Sequence, residues 1–196
     1  MTYEDVTLGT LCSVKTGVSM SRAKKAAENG GASEARVIVS SAIENGRIVD
    51  EEVVTETVSK VKEELYTREG DIILKTSTPY DSVYIDEDHE GLLATSFAVI
   101  LRPLDETRID MRYLAAYLSL SQTNERLQNA SKGATLQLLK KKDIEDFTVP
   151  MAPIDDQHRL AELYENTLAR KAECRNLMRL SDLMIESEFS RAVYNH

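Results

Sequence analysis

Short apolar runs separated by turn residues dominate residues 1–110. The runs rich in β-branched and aromatic residues, which we predict to be β-strands, lie at residues 36–39, 71–74, 82–85 and 97–101. Turn signals occur at Asn45-Gly46 and at residues 69–71 (EGD). Residues 50–66 mix valine with glutamate and lysine, so their pattern fits a strand as well as a helix.

Helical spacing replaces this pattern between Asp110 and Gly133. Asp110 is the predicted N-cap, and apolar residues follow it at helical spacings. Ser121 is predicted to restart the helix, and Gly133 is a natural stop because glycine accepts the left-handed conformation that ends many helices. Residues 134–150 are predicted to return to extended structure.

The last region is predicted to be one long amphipathic helix. It is capped by Asp155 or Asp156 and contains no Gly or Pro up to about residue 192. Such a helix would be roughly 55 Å long, more than the diameter of a domain of about 150 residues. The apolar residues that recur mostly at spacings of three and four are Leu160, Leu163, Tyr164, Leu168, Ala172, Leu177, Met178, Leu180, Met184, Ile185 and Phe189.

This apolar stripe requires a covering surface. An exposed stripe of this length calls for a partner, and a self-paired antiparallel helical bundle is the simplest one. The alternative is a broken helix folded entirely onto its own domain. We therefore predict two domains, residues 1–153 and 154–196. The residues predicted to form the dimer contact are Leu160, Leu163, Leu168, Leu177, Leu180 and Met184.

The net charge of −9 counts against a nucleic-acid partner, but the charges are unevenly distributed. Two windows contain no acid: residues 12–27, with Lys15, Arg22, Lys24 and Lys25, and residues 126–142, with Arg126, Lys132, Lys140, Lys141 and Lys142. The rest of the chain carries all 33 acids. Because exposed charges are screened over about 8 Å at physiological salt, an acidic protein can still present a positive face. The alternative is that both windows are simply solvated surface.

Few other signals of chemistry are present. Cys12 and Cys174 have no metal-like spacing and are predicted to be reduced thiols packed as small hydrophobes. His89 lies in an acidic stretch, where a solvated loop is favoured over a metal site. No phosphate-binding glycine-rich loop, zinc-protease motif or nucleophile elbow occurs, so neither catalysis nor a cofactor is predicted. With no membrane span or signal peptide, the predicted compartment is the cytoplasm.

Four short motifs in a fixed order carry a family resemblance. They are residues 6–17 (VTLGTLCSVKTG), 69–75 (EGDIILK), 131–135 (SKGAT) and 149–161 (VPMAPIDDQHRLA). The first resembles an opening Leu-Gly segment, the second a strand after Gly-Asp, the third a loop after a mid-domain helix, and the fourth a junction before a long helix. In this order, the motifs resemble the specificity subunit of type I restriction–modification enzymes.

The resemblance implies an α+β fold: a mixed, strongly twisted, β-rich target-recognition domain with flanking helices, followed by one long C-terminal helix. The family carries two recognition domains in a longer chain, so this chain resembles a half-subunit. Two copies would then pair through residues 155–192 and bind a symmetric, bipartite target on double-stranded DNA. Methyltransferase and restriction subunits, which carry out the chemistry in this family, are the further partners implied.

The candidate DNA contacts fall into two groups. The residues predicted to hold phosphates are Lys15, Arg22, Lys24, Lys25, Lys132, Lys140 and Lys141, together with Gly133 and Thr135. The residues predicted to face base edges are Lys75, Thr76, Ser77 and Tyr80, in the loop after a predicted strand, and Gln137.

Other interpretations of these residues and of the whole chain stay open. Packing is the alternative for Tyr80, turn capping for Thr76 and Ser77, and solvation for Lys140 and Lys141. The acidic charge also leaves open a helical adaptor that keeps the fold without binding DNA. A nuclease is disfavoured.

Overall fold

A computed structural model describes residues 3–28, 31–105, 107–131 and 138–194 of the chain. In chain order, its strands and helices are β1 (Glu4–Thr7), α1 (Leu8–Leu11), β2 (Cys12–Thr16), α2 (Met20–Ala27), β3 (Ser33–Ile38), β4 (Ile43–Glu44), β5 (Arg47–Ile48), β6 (Val54–Val58), β7 (Ile72–Lys75), β8 (Ser82–Tyr84), β9 (Leu93–Ala94), β10 (Ala98–Pro103), α3 (Met111–Leu118), α4 (Ser121–Ala130), α5 (Lys141–Glu145), β11 (Thr148–Met151) and α6 (Ile154–Phe189). The α+β fold class is confirmed.

An antiparallel four-stranded sheet, in the order β2-β10-β7-β8, lies at the centre of the first of two compact units, Met1–Ala161. Both faces of its central strands are buried, because Ile72 and Leu74 pack into one core cluster and Ile73 packs into another. Strands covered on both faces are continuous apolar runs in sequence rather than alternating ones. The strands predicted at 71–74, 82–85 and 97–101 are confirmed.

A smaller sheet, in the order β6-β3-β9, packs with α2 around a third apolar cluster. β3 confirms the strand predicted at 36–39, and β6 places a strand inside the ambiguous stretch 50–66. Helix α2 is not among the predicted elements. Its buried residues are only Ala23 and Ala27, which give a weak hydrophobic signal.

The helices of the middle region largely follow the predictions. The Asp110 carboxylate accepts a hydrogen bond from the backbone N–H of Arg112 and so caps α3. Helix α4 begins at Ser121, as predicted. The extended structure predicted for 134–150 is wrong at Lys141–Glu145, which form α5, and right at Thr148–Met151, which pair with β1. The Asp143 carboxylate accepts from the backbone N–H of Lys140 at the start of α5.

Helix α6 is unbroken over 36 residues and is followed by a π-helical turn, Ser190–Tyr194. It begins at Ile154, so Asp155 and Asp156 lie in its first turn and the predicted capping role is wrong. Its first turns belong to the first unit, where the Gln157 side chain accepts from the backbone of Asp110 and donates to that of Ala152. The second compact unit is Glu162–His196.

The two cysteines have different environments. Cys12 is buried in the first core cluster, and burial raises the pKa of its thiol to about 12, with a further contribution from the Asp71 charge. Cys174 is exposed, so the predicted packing holds for Cys12 alone.

Candidate nucleic-acid interface

The predicted DNA-contacting loop lies at one end of the four-stranded sheet. At this end β2 stops at Thr16, β7 stops at Lys75, β8 begins at Ser82 and β10 begins at Ala98. Because neighbouring strands are antiparallel, the connecting segments 17–19, 76–81 and 95–97 all leave the sheet here. We call this the loop end of the sheet.

Backbone hydrogen bonds hold the three segments together. The Val18 N–H donates to the Ala94 carbonyl over 2.8 Å, and the Ser96 N–H donates to the Val18 carbonyl over 2.9 Å. Both the N–H and the hydroxyl of Thr76 donate to the Phe97 carbonyl. Gly17 allows the close approach, since a Cβ atom there would lie 2.3 Å from the Thr95 carbonyl oxygen. The loop end is therefore one continuous backbone surface.

Residues of the second basic window, 126–142, also lie at the loop end. The Leu139 N–H donates to the Thr76 carbonyl over 2.8 Å, and Leu138 forms a β-bridge with Ser77. The hydroxyls of Ser131 and Tyr80 are 2.9 Å apart. Segment 138–140 is thus a fourth part of the loop end. The predicted contacts Lys132, Gly133, Thr135 and Gln137 lie outside the described residues.

Three residues of the predicted base-contacting loop are buried. Tyr80 belongs to the main core cluster, with only 1% of its surface exposed. The Lys75 ammonium donates to the Ile43 carbonyl over 2.7 Å and lies 3.2 Å from the Asp81 carboxylate. The Thr76 hydroxyl donates to the Phe97 carbonyl. Since none of these side chains is available at the surface, the prediction that Lys75, Thr76 and Tyr80 face base edges is corrected to a supporting role.

The exposed side chains of the loop end are mostly small and uncharged. Ser77 is half-buried, as its predicted role allows, and the exposed residues of the four segments are Thr78, Pro79, Ser96, Leu138 and Lys140. Among the residues of these segments, the one acid is Asp81, which is paired with Lys75. A surface rich in hydroxyls and free of unpaired carboxylates suits contact with phosphates and base edges.

The basic windows, free of acids in sequence, acquire acidic neighbours in space. Lys15 is 3.1 Å from Glu64, Lys24 is 2.7 Å from Glu56, and Lys141 is 3.5 Å from Glu145. The hydrogen bond from Lys15 lowers the pKa of the Glu64 carboxyl, which fits a formed ion pair. Lys15, Lys24 and Lys141 therefore face carboxylates in the fold, although their own sequence windows contain none.

The remaining candidate cations differ from one another. Arg22 and Lys140 are exposed and form no ion pair with another described residue, and Lys25 is also exposed. Arg126 lies over the Phe147 ring, 4.7 Å from its centroid, and its guanidinium donates to Thr148. Among the predicted phosphate contacts that the structure describes, Arg22 and Lys140 are thus the best placed to hold a phosphate.

Helix α6 carries exposed apolar side chains along most of its length. The exposed fractions are 59% for Leu163, 61% for Leu177 and 70% for Met184, and Leu180 is exposed as well. Leu168 is half-buried. Leu160 packs against the main core cluster, so its assignment to the dimer contact is corrected to a role in the first unit. Leu183 is a further exposed apolar residue that the predicted stripe omits.

Other types of site have little support within the described ranges. His89 contacts the carboxylates of Asp86 and Asp50, but no group of three potential metal ligands occurs among the described residues. Across the same residues, no helix has the length and apolar character needed to cross a membrane.

Comparison with known proteins gives one family. Residues 1–172 match the family model described as the type I restriction modification DNA specificity domain. No curated protein sequence matches the chain.

Solved structures share the fold at low sequence identity. The HsdS subunit from Thermoanaerobacter tengcongensis aligns with a TM-score of 0.64 and 19% identity, over 96% of this chain and 49% of that one. A chain from a study of complex assembly in the type I R-M system aligns with a TM-score of 0.67 and 18% identity, over 98% of this chain and 48% of that one. The type I S subunit from M. genitalium aligns with a TM-score of 0.52 and 15% identity, over 95% of this chain and 44% of that one. The chain therefore spans about half the length of these structures.

Proposed function

Since the chain belongs to the family of type I restriction modification DNA specificity domains, we propose that it recognises a DNA sequence as a half-length specificity subunit. Two copies form a homodimer and direct methyltransferase and restriction subunits to a bipartite site on double-stranded DNA. The chain itself is not catalytic, and methyl transfer and cleavage belong to the partner subunits. Residues 1–153 are the recognition domain, and residues 154–196 are the pairing helix.

The composition of the loop end is the observation that supports this proposal most directly. In a protein of net charge −9, the four segments of the loop end carry exposed hydroxyls and one carboxylate, that of Asp81, which is paired with Lys75. Unpaired carboxylates would repel a phosphate backbone at close range, and their absence removes that barrier. The recognition surface of an acidic DNA-binding protein should have this composition.

The residues of the loop end, and of the helices that follow its segments, have distinct tasks in the proposal. Lys140 and Arg22 hold phosphates, and Lys25 and Lys141 add positive charge beside them. DNA phosphates can recruit Lys141 from Glu145, because an exposed ion pair is weak. Ser77 and Thr78 contact base edges or sugars, while the buried Lys75 and Tyr80 keep their loop in place. The proposal extends, from sequence alone, to Lys132, Gly133, Thr135 and Gln137.

The exposed apolar residues of α6 support pairing of two copies. Leu163, Leu177, Leu180 and Met184 would be covered by the same residues of a second copy. An isologous contact gives the pair a two-fold axis, which calls for a target of two symmetric halves. This symmetry distinguishes the half-subunit from a chain with two different recognition domains.

A salt titration of duplex binding tests the proposal. The variant Lys140→Glu/Lys141→Glu should weaken binding to a random-sequence duplex pool and reduce the slope of log affinity against log salt by about one for each lysine. The matched control is Arg68→Glu/Arg108→Glu, which makes the same charge change at the opposite end of the sheet and should bind more tightly than the lysine variant.

Three results would overturn the proposal or a part of it. If both double variants lose affinity equally, the loop end is not the interface. If the unchanged chain fails to bind any duplex at low salt, the helical adaptor is the better function, and the −9 charge is the observation that favours it. Incubation with plasmid and magnesium should leave the plasmid intact. Cleavage of the plasmid would instead indicate that the chain is a nuclease.

A further inference from the structure

The β4–β5 hairpin lies beside the loop end, and its residues are not among the predicted DNA contacts. Its turn is Asn45-Gly46, with φ of 53° and 75°, and residues with positive φ at both central positions make a tight two-residue turn. Asn45 and Arg47 are both exposed. Arg47 forms no ion pair with another described residue, although Glu44 is its partner across the hairpin.

The buried ammonium of Lys75 connects this hairpin to the loop end. It donates to the Ile43 carbonyl at the start of β4 and pairs with Asp81 at the end of segment 76–81. The side chain of Lys75 is only 10% exposed. A buried ammonium needs such partners, because an unpaired buried charge is costly. Lys75 therefore fixes the hairpin against the loop.

The direction of the hairpin follows from contacts at its two ends. Asp50, just after β5, lies 3.6 Å from His89, which follows β8 at the opposite end of the four-stranded sheet. Ile43 contacts Lys75 at the loop end. The hairpin therefore runs toward the loop end, and its turn extends past Ile43 in that direction.

We propose that the β4–β5 hairpin is a second base-contacting element of the loop end, with Asn45 and Arg47 as its specificity-determining residues. This inference rests on the proposed function. The major groove admits a two-stranded β-ribbon, arginine pairs with guanine O6 and N7, and asparagine pairs with adenine N6 and N7. Lys75 is a positioning residue, because it acts on the DNA only through the hairpin and the loop.

Sequence selection from a random duplex pool tests the hairpin. The full chain first enriches its preferred duplex, and the variants Arg47→Ala, Arg47→Lys and Asn45→Gly are then compared on that duplex and in fresh selections. Glycine replaces Asn45 because it tolerates the positive φ. Arg108→Ala, exposed at the opposite end of the sheet, is the control of equal charge change.

We expect Arg47→Ala to lose about ten-fold or more in affinity for the selected duplex and to tolerate any base pair at one position of each half-site. Arg47→Lys keeps the charge but not the two-pronged contact, so it should show the same relaxed position with a smaller affinity loss. Asn45→Gly should relax a different position. Arg108→Ala should match the unchanged chain in both measurements.

Three outcomes count against the inference in distinguishable ways. If the hairpin variants enrich the original sequence with unchanged affinity while Lys140→Glu/Lys141→Glu loses binding, the hairpin plays no part and the proposed function stands. If Arg47→Lys restores full base preference, Arg47 contributes only charge. An unchanged chain that enriches no sequence overturns the proposed function and the hairpin with it.

Discussion

At the residue scale, Tyr80 illustrates how a polar side chain in a loop can serve the fold. Its ring lies in the main core cluster, and its hydroxyl is 2.9 Å from that of Ser131, just before residues 132–137. A ring enclosed in this way cannot stack on a base. What Tyr80 contributes to DNA binding must therefore come through the position of the loop.

Replacement of Tyr80 separates these two roles. Tyr80→Phe keeps the ring and removes the hydroxyl, so it should lower the free energy of unfolding by about 1 kcal/mol and leave the selected DNA sequence unchanged. Urea unfolding and sequence selection measure the two effects. Thr78→Ala, at an exposed position of the same segment, is the control and should leave stability unchanged. An altered sequence with no loss of stability would assign Tyr80 to the interface after all.

Lys75 shows the same principle with a charged side chain. Lys75 is predicted to face base edges, yet its ammonium donates to the Ile43 carbonyl and pairs with the Asp81 carboxylate. Those partners lie 32 and six residues away, and only the fold brings them together. Sequence alone therefore cannot tell which polar residues of this loop face outward.

At the element scale, the close contact between segments 17–19 and 95–97 depends on Gly17. A Cβ atom on Gly17 would lie 2.3 Å from the Thr95 carbonyl oxygen and 2.7 Å from that of Ala94. Both carbonyl oxygens accept backbone hydrogen bonds, from the N–H groups of Ala98 and Val18, so they cannot move aside cheaply. The sequence motif that ends at Gly17 thus has a direct physical reason.

We expect Gly17→Ala to destabilise the protein by about 3 kcal/mol, at the upper end of the usual cost of overpacking. Gly9→Ala is a graded control, because its Cβ would lie 3.1 Å from the Glu145 carbonyl oxygen, a much milder contact. Urea unfolding of the two variants should rank Gly17→Ala as clearly less stable. Equal midpoints would show that segments 17–19 and 95–97 separate without cost.

The elements that sequence reasoning missed share a physical cause. Helix α2 buries only two alanines, and α5 has five residues with one buried apolar side chain, Ile144. Both helices are short and bury few large apolar side chains. The strands were predictable from their apolar runs, and α6 from its long stretch without Gly or Pro. The loop end depends on strand order, which no local pattern encodes.

At the scale of the whole molecule, the charge distribution limits what one copy can do alone. Several candidate lysines are paired with carboxylates, which leaves Arg22, Lys140 and a few neighbours to attract phosphates. Since affinity for DNA rises steeply with the number of neutralised phosphates, one copy should bind weakly. Two copies on one duplex double the number of contacts and gain from the high local concentration of the second.

The second copy is supplied, in our proposal, by the exposed apolar residues of α6. Leu177 and Met184 are seven residues apart, so they lie on one face of the helix, two turns from each other. The variant Leu177→Gln/Met184→Gln makes that face polar while keeping good helix formers. Light scattering should show a dimer for the unchanged chain and a monomer for this variant, with equal helicity by circular dichroism.

The control for this variant is Arg179→Gln/Glu186→Gln, which leaves the net charge unchanged and alters a different, polar face of α6. It should remain dimeric. Because the loop end is untouched, the monomeric variant should still prefer the same half-site, but with weaker affinity and no preference for the symmetric second half. If the Leu177→Gln/Met184→Gln variant is still a dimer, the contact between copies lies elsewhere. If the variant is a monomer that still selects a two-fold symmetric site, the symmetry of the target does not depend on pairing of the protein.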